Sequence, residues 1–588
     1  MSIILTPADL PLDNAANVQP APAPLVSQLT YEHLLWVLIG VLAAGLRLWF
    51  LDTTPLNNAE AHQTLQSYTL ATLGSATLSN PLFGTLQAWL FAISSANEFT
   101  VRLISALAGT ALCLLPILTR ESLGRGRALA LSALLALSPT VWFVSRQADG
   151  ALLAWTLALA LSFTWRTDRS NTNAVLAGLL LACGADAISP LLVCAVVLAA
   201  TNERDTTNTP RTPRMQVGQI VIALATFVLA STGLLMHPAG LGSVFGGLAE
   251  WFKRLTTADT LSFGRAFMGL LIYELPIIVG AIGAIAMLIS TRRIQRDELR
   301  WLAWLGAGLV LLVLTQGRSA IDVLPIVIGL AGFAAHGLNW LFNSLRRHGK
   351  WSFEGSYTAL AFVTFICAGL SIRQYASTSE ASWLMLVLLS VVLSAAAITS
   401  TGMLGDMGIG VRAVVAGLAL NLLLYSVATG VHLNWVKPNN PTEPYVTDAV
   451  PNDLRVLAEM VQTISTRSQG DPNMMSVQVQ RSAPASLVWA LRHQTEVLLT
   501  ENTGDSGVVI TPQGAPPAAR GNSGYVGTGF SIQTQASLDS VRCNRNPTQL
   551  DCVPLARWFA FRQANAPSNT RWVVWVRGDV ANKASGIQ

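Results

Sequence analysis

Thirteen apolar runs follow one another between residues 34 and 431, and no other feature of the 588-residue chain constrains its fold as strongly. They cover 34–51, 99–119, 128–145, 151–165, 173–185, 188–200, 217–236, 267–290, 301–316, 321–342, 355–372, 381–400 and 411–431. A helix crossing a bilayer needs about 20 apolar residues, so the chain reads as a polytopic α-helical membrane protein of about thirteen transmembrane helices. Only 12% of the residues are charged and the mean hydropathy is +0.47, which argues against a water-soluble bundle. The runs 173–185 and 188–200 are individually short. The segment between them, Gly184-Ala185-Asp186-Ala187-Ile188-Ser189-Pro190, combines a charge with a helix breaker and predicts a tight hairpin rather than one long helix.

That hairpin sets the parity of every later loop. With the N-terminus inside, sixteen basic residues fall on inner loops, among them Arg120, Arg125, Arg166, Arg204, Arg292, Arg346 and Arg347. Seven fall on short outer loops: Arg102, Arg146, Lys253, Arg254, Arg265, Arg318 and Arg373. The positive-inside rule then places the N-terminus in the cytoplasm, the chain in the plasma membrane and the C-terminal segment outside the cytoplasm. Residues 1–33 contain no Lys or Arg and are rich in Pro, Ala and Asn, which predicts a disordered tail without the basic start of a signal peptide. The net charge of +5 is divided among short loops rather than gathered in a patch, so nucleic acid is not an expected partner.

Two outer loops are long. Residues 52–98 hold an amphipathic piece at 61–73 and an apolar piece at 82–93, both suited to the membrane surface. Residues 237–266 contain Trp251-Phe252-Lys253-Arg254, an interfacial mixture of aromatic and basic side chains. From residue 432 to 588 the character changes. After a linker marked by Pro438, Pro441 and Pro444, helices are expected at 453–465 and 484–492, and strands at 476–480, 495–499, 508–511 and 572–576. Helices alternating with strands predict a soluble α/β domain. Cys113, Cys183, Cys194 and Cys367 lie within apolar runs, whereas Cys543 and Cys552 lie in this tail, where an extracytoplasmic location permits a disulfide between them.

Charged groups at the lipid boundary are functional candidates. Arg47 has two readings, a snorkelling anchor or a site residue. Asp52, Glu60, His62, Glu98, Arg102, Arg146, Asp149, Arg318 and Asp322 all fall on the outer face. The order of the motifs is informative: Leu46-Arg47-Leu48-Trp49-Phe50-Leu51, Leu56-Asn57-Asn58-Ala59-Glu60-Ala61, Asn80-Pro81-Leu82, Glu98-Phe99-Thr100-Val101-Arg102 and Ser145-Arg146-Gln147-Ala148-Asp149. In combination, over residues 34–165, these resemble the GT-C class of lipid-linked-sugar glycosyltransferases, and within it the protein mannosyltransferase and aminoarabinose transferase group (glycosyltransferase family 39-like). The resemblance implies a GT-C-like membrane domain over 34–431. It also implies a polyprenyl-phosphate sugar as donor, membrane lipids as surroundings, and a lipid, glycan or protein as acceptor. Family members carry Asp-Glu in the first outer loop where this chain has Ala59-Glu60, and a Lys near the break where this chain has none before Pro190.

Such a transfer needs a carboxylate to take the acceptor proton and cations to hold the departing phosphate. Glu60 is the first candidate base, with Asp149 or Asp52 able to substitute; Glu60 as a solvated acid at a helix start is the structural alternative. Arg318, in Gln316-Gly317-Arg318-Ser319, is the first candidate for the donor phosphate, since a guanidinium grips phosphate oxygens bidentately. Arg102 and Arg146 are alternatives, as phosphate ligands or as partners of Asp149 and Glu98. His62 alone, with scattered acids, makes a poor metal site. No Walker A loop, Cys-x-x-Cys or His-Glu-x-x-His occurs, and no dinucleotide fingerprint follows a strand, so no cofactor beyond the lipid-linked donor is expected. Ala59 favours a second reading, a non-catalytic relative serving as a membrane scaffold or assembly subunit. A transporter is the third, without the duplicated halves that such folds usually show.

Overall fold

The computed structural model describes residues 31–165, 170–201, 216–258, 261–292, 296–348, 351–403, 406–501, 504, 506–517, 524–538, 541, 543–545 and 550–585. The tail expected over 1–33 lies outside the described residues as far as position 30, and a helix already begins at Tyr31. Arg166 and Arg204, counted above among the inner-loop basic residues, also lie outside them.

All thirteen apolar runs fall on helices. In chain order the elements are α1 (Tyr31–Leu48), α2 (Asn58–Leu73), α3 (Pro81–Ile93), α4 (Glu98–Leu114), α5 (Arg120–Leu123), α6 (Arg125–Leu137), α7 (Pro139–Ser145), α8 (Gly150–Thr164), α9 (Ser170–Leu181) and α10 (Ile188–Thr201). They continue with α11 (Val217–Ser231), α12 (Ala239–Thr256), α13 (Phe263–Tyr273), α14 (Leu275–Thr291), α15 (Arg296–Leu314), α16 (Leu324–His348), α17 (Trp351–Thr378), α18 (Ser382–Met403) and α19 (Met407–Val431). Among the described residues, seven helical stretches are long and apolar enough to cross a membrane, or up to nine if each bent pair is one span. The run 173–200 is broken as expected, by a single 3₁₀ turn at Gly184–Ala187.

Two runs read as single helices are sharply bent. The α6–α7 pair turns by 61° and the α13–α14 pair by 77°. Pro139 and Pro276 lack the N–H that would continue each helix. The freed groups at one bend are paired by the other. Glu274, fully buried, accepts from Ser138 Oγ at 2.6 Å and from the Thr140 N–H at 2.9 Å. In lipid such groups have no water to turn to, so the two broken helices satisfy each other. Elsewhere small residues let helices close up, as membrane packing requires. A Cβ at Gly332 of α16 would come within 2.1 Å of the Trp301 ring on α15.

The tail forms a five-stranded mixed sheet, with β1 (Ser476–Gln480), β2 (Glu496–Thr500), β3 (Val508–Pro512), β4 (Tyr525–Gln535) and, after a short β5–β6 hairpin (Asn544–Arg545 and Leu550–Asp551), β7 (Ser568–Arg577). Its order is β2-β1-β3-β7-β4, parallel from β2 to β3 and antiparallel across β7. Val477, Val479, Val508, Ile510 and Val574 pack against Leu457 and Val461 of α20 (Asp453–Gln469). Two short helices, α21 (Ala485–Ala490) and α22 (Val553–Phe561), and a terminal α23 (Gly578–Ser585) complete it. A disulfide joins Cys543 to Cys552 around the hairpin.

One carboxylate ties this domain to the helices. Glu443 is fully buried and meets Arg562 Nε at 3.2 Å, His432 Nδ1 at 3.4 Å and the Tyr273 hydroxyl. Burial alone would push its pKa up, but His432, Arg562 and Tyr273 outweigh that and hold it below the usual carboxylate range. A lowered carboxylate pKa contributes stability that is present above the ordinary value and lost as pH falls through the lowered one. Glu443→Gln leaves the Arg562 charge uncompensated, at about 3 kcal/mol. Limited proteolysis of the 437–452 linker is therefore expected to rise on acidification in the wild type, and to be raised already at neutral pH and nearly pH-independent in Glu443→Gln.

Candidate functional site

The segment between α1 and α4 is built around a helix start. The pattern Asn57-x-x-Glu60 forms a capping box, in which Glu60 N–H donates to Asn57 Oδ1 at 2.9 Å and Asn57 N–H donates to Glu60 Oε2 at 3.0 Å. Arg102 on α4 grips the same carboxylate with two prongs, Nε to Oε1 and Nη2 to Oε2, both at 2.9 Å. The Ala148 N–H adds a bond of 2.8 Å to Oε1. Arg102 spends its remaining donors on the carbonyls of Leu51, Thr54 and Pro55.

Four of the expected site residues are engaged within the protein itself. Glu60 is not a free base, because both its oxygens are committed and its side chain is buried. Arg102 is not free for phosphate, because Glu60 and three carbonyls occupy it. The same holds for Arg146, whose Nη atoms take the carbonyls of Arg47, Trp49 and Phe50 at 3.1, 2.6 and 2.6 Å where α1 ends. Burial and the neighbouring Arg102 charge lower the Arg146 pKa to about 10, against the opposing pull of Asp52. Asp52 itself stays on the exposed rim, and its carbonyl accepts from Arg455 of the tail domain at 2.6 Å. Arg318 turns back on α15, donating to Leu312 O at 2.8 Å and Val313 O at 3.1 Å, and lies 5.6 Å from the Phe263 ring centroid. Arg47 does not snorkel. It is fully buried, with Nε 3.2 Å from Ser145 Oγ and its Nη atoms against the carbonyl of Ala43 on its own helix and those of Leu135 and Ala136 at the end of α6.

Asp149 is different. It caps α8 through Oδ1, which accepts the Ala151 N–H at 2.9 Å, and its own N–H is fixed by Ser105 Oγ at 3.2 Å. Across from it, Asn80 caps α3 with its oxygen and donates its amide to Asp186 Oδ2 at 2.9 Å. Gly150 lets these segments meet, since a Cβ there would lie 2.4 Å from Asn80 Nδ2 and 2.9 Å from Gln63 Nε2. Burial pushes the Asp149 pKa up, with the Ala151 N–H and the Arg254 charge opposing and the charges of Asp322 and Glu60 adding to the rise.

The cation at this cluster is Arg254, which sequence reasoning placed at a membrane interface. It meets Asp322 Oδ2 at 3.1 Å and lies within electrostatic reach of Asp186 and Asp149. Helical spacing explains its direction. Gly247, Trp251 and Arg254 share one face of α12, where Gly247 abuts the backbone of Ala185 and Trp251 Nε1 bonds Ser189 Oγ at 2.9 Å. Phe245, Leu248 and Phe252 occupy another face and are exposed. The two-faced pattern 247/251/254 against 245/248/252 was the signal that could have found Arg254. Asp186, read as part of a helix break, is the other residue missed. His62 is exposed, and among the described residues no group of three or more His, Cys, Asp or Glu could hold a metal ion.

Above the first loop sits α21 of the tail domain. Trp489 packs edge-on to Tyr68 at 5.9 Å between centroids and lies 6.4 Å from Phe91. Arg492 stacks on Trp489 at 4.0 Å and donates to Ala96 O at 2.8 Å, while Ala485 N–H meets Asn58 Oδ1 at 2.6 Å.

No protein-family model and no curated protein matches the chain. Solved structures similar to it include ArnT from Cupriavidus metallidurans bound to undecaprenyl phosphate, with 16% identity, a TM-score of 0.48, and coverage of 79% of this chain and 85% of that one. The Archaeoglobus fulgidus oligosaccharyltransferase tethered to an acceptor peptide gives 10% identity, a TM-score of 0.45, and coverage of 82% and 69%. Both are GT-C glycosyltransferases. All these scores fall below 0.5, so the functional reading rests on the site's own geometry.

The Glu60–Arg102 clamp is testable by itself. Glu60→Ala and Arg102→Ala are each expected to lower the Tm of the purified protein markedly, since breaking a buried pair costs roughly 3–5 kcal/mol. The double variant should be little worse than either single one, with a coupling of about 2 kcal/mol or more. Additive losses in that cycle would rule out the clamp.

Proposed function

We propose that the chain is a membrane glycosyltransferase that moves a sugar from a polyprenyl-phosphate donor to a hydroxyl of a lipid, glycan or protein acceptor. The observation that carries this reading is the convergence of Asp149, Asp186, Asn80 and Arg254, from four separate segments, beside the Asp-bearing motif that resembles the GT-C pattern. Asp149 is the proposed base. Its Oδ1 is fixed as a helix cap, its pKa is raised by burial, and a carboxylate so tuned accepts a proton more readily than a solvated one. As the acceptor oxygen attacks the anomeric carbon, the bond from that carbon to the phosphate oxygen breaks and the phosphate leaves with the electron pair. A single displacement of this kind inverts the anomeric centre. Arg254 is the proposed partner of the phosphate, in place of Arg318, Arg102 and Arg146.

The proposal includes thirteen membrane helices, a cytoplasmic N-terminus, and a tail domain outside the plasma membrane whose α21 caps the first outer loop. The sixteen-to-seven charge bias of the loops supports that orientation. The scaffold reading keeps one specific observation in its favour: the loop acid at Glu60 is consumed in the clamp, and its neighbour at position 59 is Ala.

Transfer of radiolabelled sugar from a panel of polyprenyl-phosphate donors into membrane acceptors separates the two. Asp149→Asn is expected to lower transfer by at least about 100-fold while leaving Tm nearly unchanged, within the range of general-base catalysis. Wild-type transfer should fall as pH drops through the raised Asp149 pKa, at a higher pH than for an ordinary aspartate. Ala59→Asp adds a carboxylate one turn before Gln63, on the α2 face that meets Gly150, and should raise the rate. Absence of transfer by the wild type and by Ala59→Asp across the panel selects the scaffold.

A further inference from the structure

A groove of about 1100 Å³ runs between the helices α14 and α16 on one side and α17 and α19 on the other. It is almost wholly apolar. Among its few polar lining residues, Glu354 is paired with Arg412 and Ser426 Oγ donates to Leu137 O at 2.9 Å, while Thr358 also lines it on α17. Along α14 the lining extends from Pro276 to Met287, which at 1.5 Å per residue is roughly 17 Å. One leaflet of a bilayer is about 15 Å of hydrocarbon. The groove therefore matches the depth of an ordinary phospholipid chain rather than the greater length of a polyprenyl tail.

Charge marks one end of it. The lining on α16 finishes at Leu345, and the next two residues, Arg346 and Arg347, are exposed. Trp340, which also lines the groove, is 45% exposed, as expected of an aromatic side chain at the headgroup level. Basic residues at the mouth of a pocket between membrane helices favour an anionic headgroup.

We propose that this groove holds an anionic phospholipid of the surrounding bilayer, with an acyl chain between α14/α16 and α17/α19 and its phosphate on Arg346 and Arg347. The lipid joins the α17–α19 group to the rest of the helices, and it is distinct from any sugar donor at the Asp149 cluster. Gly283 and Gly355 allow a clean test, because a Cβ at either position meets nothing within 4 Å, so a larger side chain enters the groove without displacing backbone. Full-length protein in detergent would be melted with and without dioleoyl phosphatidylglycerol, dioleoyl phosphatidylcholine or undecaprenyl phosphate, and its bound lipid weighed by native mass spectrometry. Phosphatidylglycerol is expected to raise the wild-type Tm by several degrees and to be retained in preference to phosphatidylcholine. Arg346→Gln/Arg347→Gln should lose the preference, and Gly283→Phe or Gly355→Phe should lose the retained lipid while keeping a cooperative melt. Equal shifts with both phospholipids, an unchanged shift in both groove-filling variants, or a larger shift with undecaprenyl phosphate than with phosphatidylglycerol would each overturn the proposal.

Discussion

Carbonyl groups at broken helix ends have to be paired where water is scarce, and this protein pairs them with arginine. α1 stops before the first outer loop, α6 stops at Ser138, and α15 stops before Gln316; each end leaves open acceptors. Arg146 closes the first, Arg47 the second and Arg318 the third. Arg265 gathers the carbonyls of Pro444, Glu443, Val446 and Ala536 beside the tail domain in the same way. A planar fork with five donors suits this task better than an ammonium. The neighbouring loop segments are positioned by what these forks hold.

That use of arginine explains why the site reads differently in sequence and in three dimensions. Outer-face arginines near carboxylates suggest phosphate binding, and nothing in a one-dimensional string says that a guanidinium has already been taken by carbonyls. Glu60 is a sharper case. Its role was legible, since Asn57-x-x-Glu60 at the head of an apolar stretch is a capping signature, but the chemistry implied by the family resemblance drew it toward catalysis. Asp149 kept its candidacy because one of its oxygens is a cap and the rest of its surroundings are polar groups from other segments.

The helical plan was legible because lipid demands long apolar runs, and the break at Asp186 because a charge and a proline interrupt one. The bends at Pro139 and Pro276 were hidden inside runs of unbroken hydrophobicity, although each proline was visible. In the tail, the short strands with alternating buried residues were readable. β4 was not: Gly527 and Gly529 interrupt its pattern, and its length comes from pairing along the whole of β7. Arg254 was obscured by Phe252 and Lys253, which face elsewhere and suggested a uniform interfacial segment.

The clamp at Glu60 also decides which segments are held together. It ties α2, α4, the 51–55 turn and the segment before α8 together through one buried carboxylate and its arginine. By contrast, α12 is held to its neighbours by the Trp251 contact to Ser189 and by a partly exposed pair between Arg254 and Asp322. With Phe245, Leu248 and Phe252 exposed on its other face, α12 is less deeply anchored than the clamped segments.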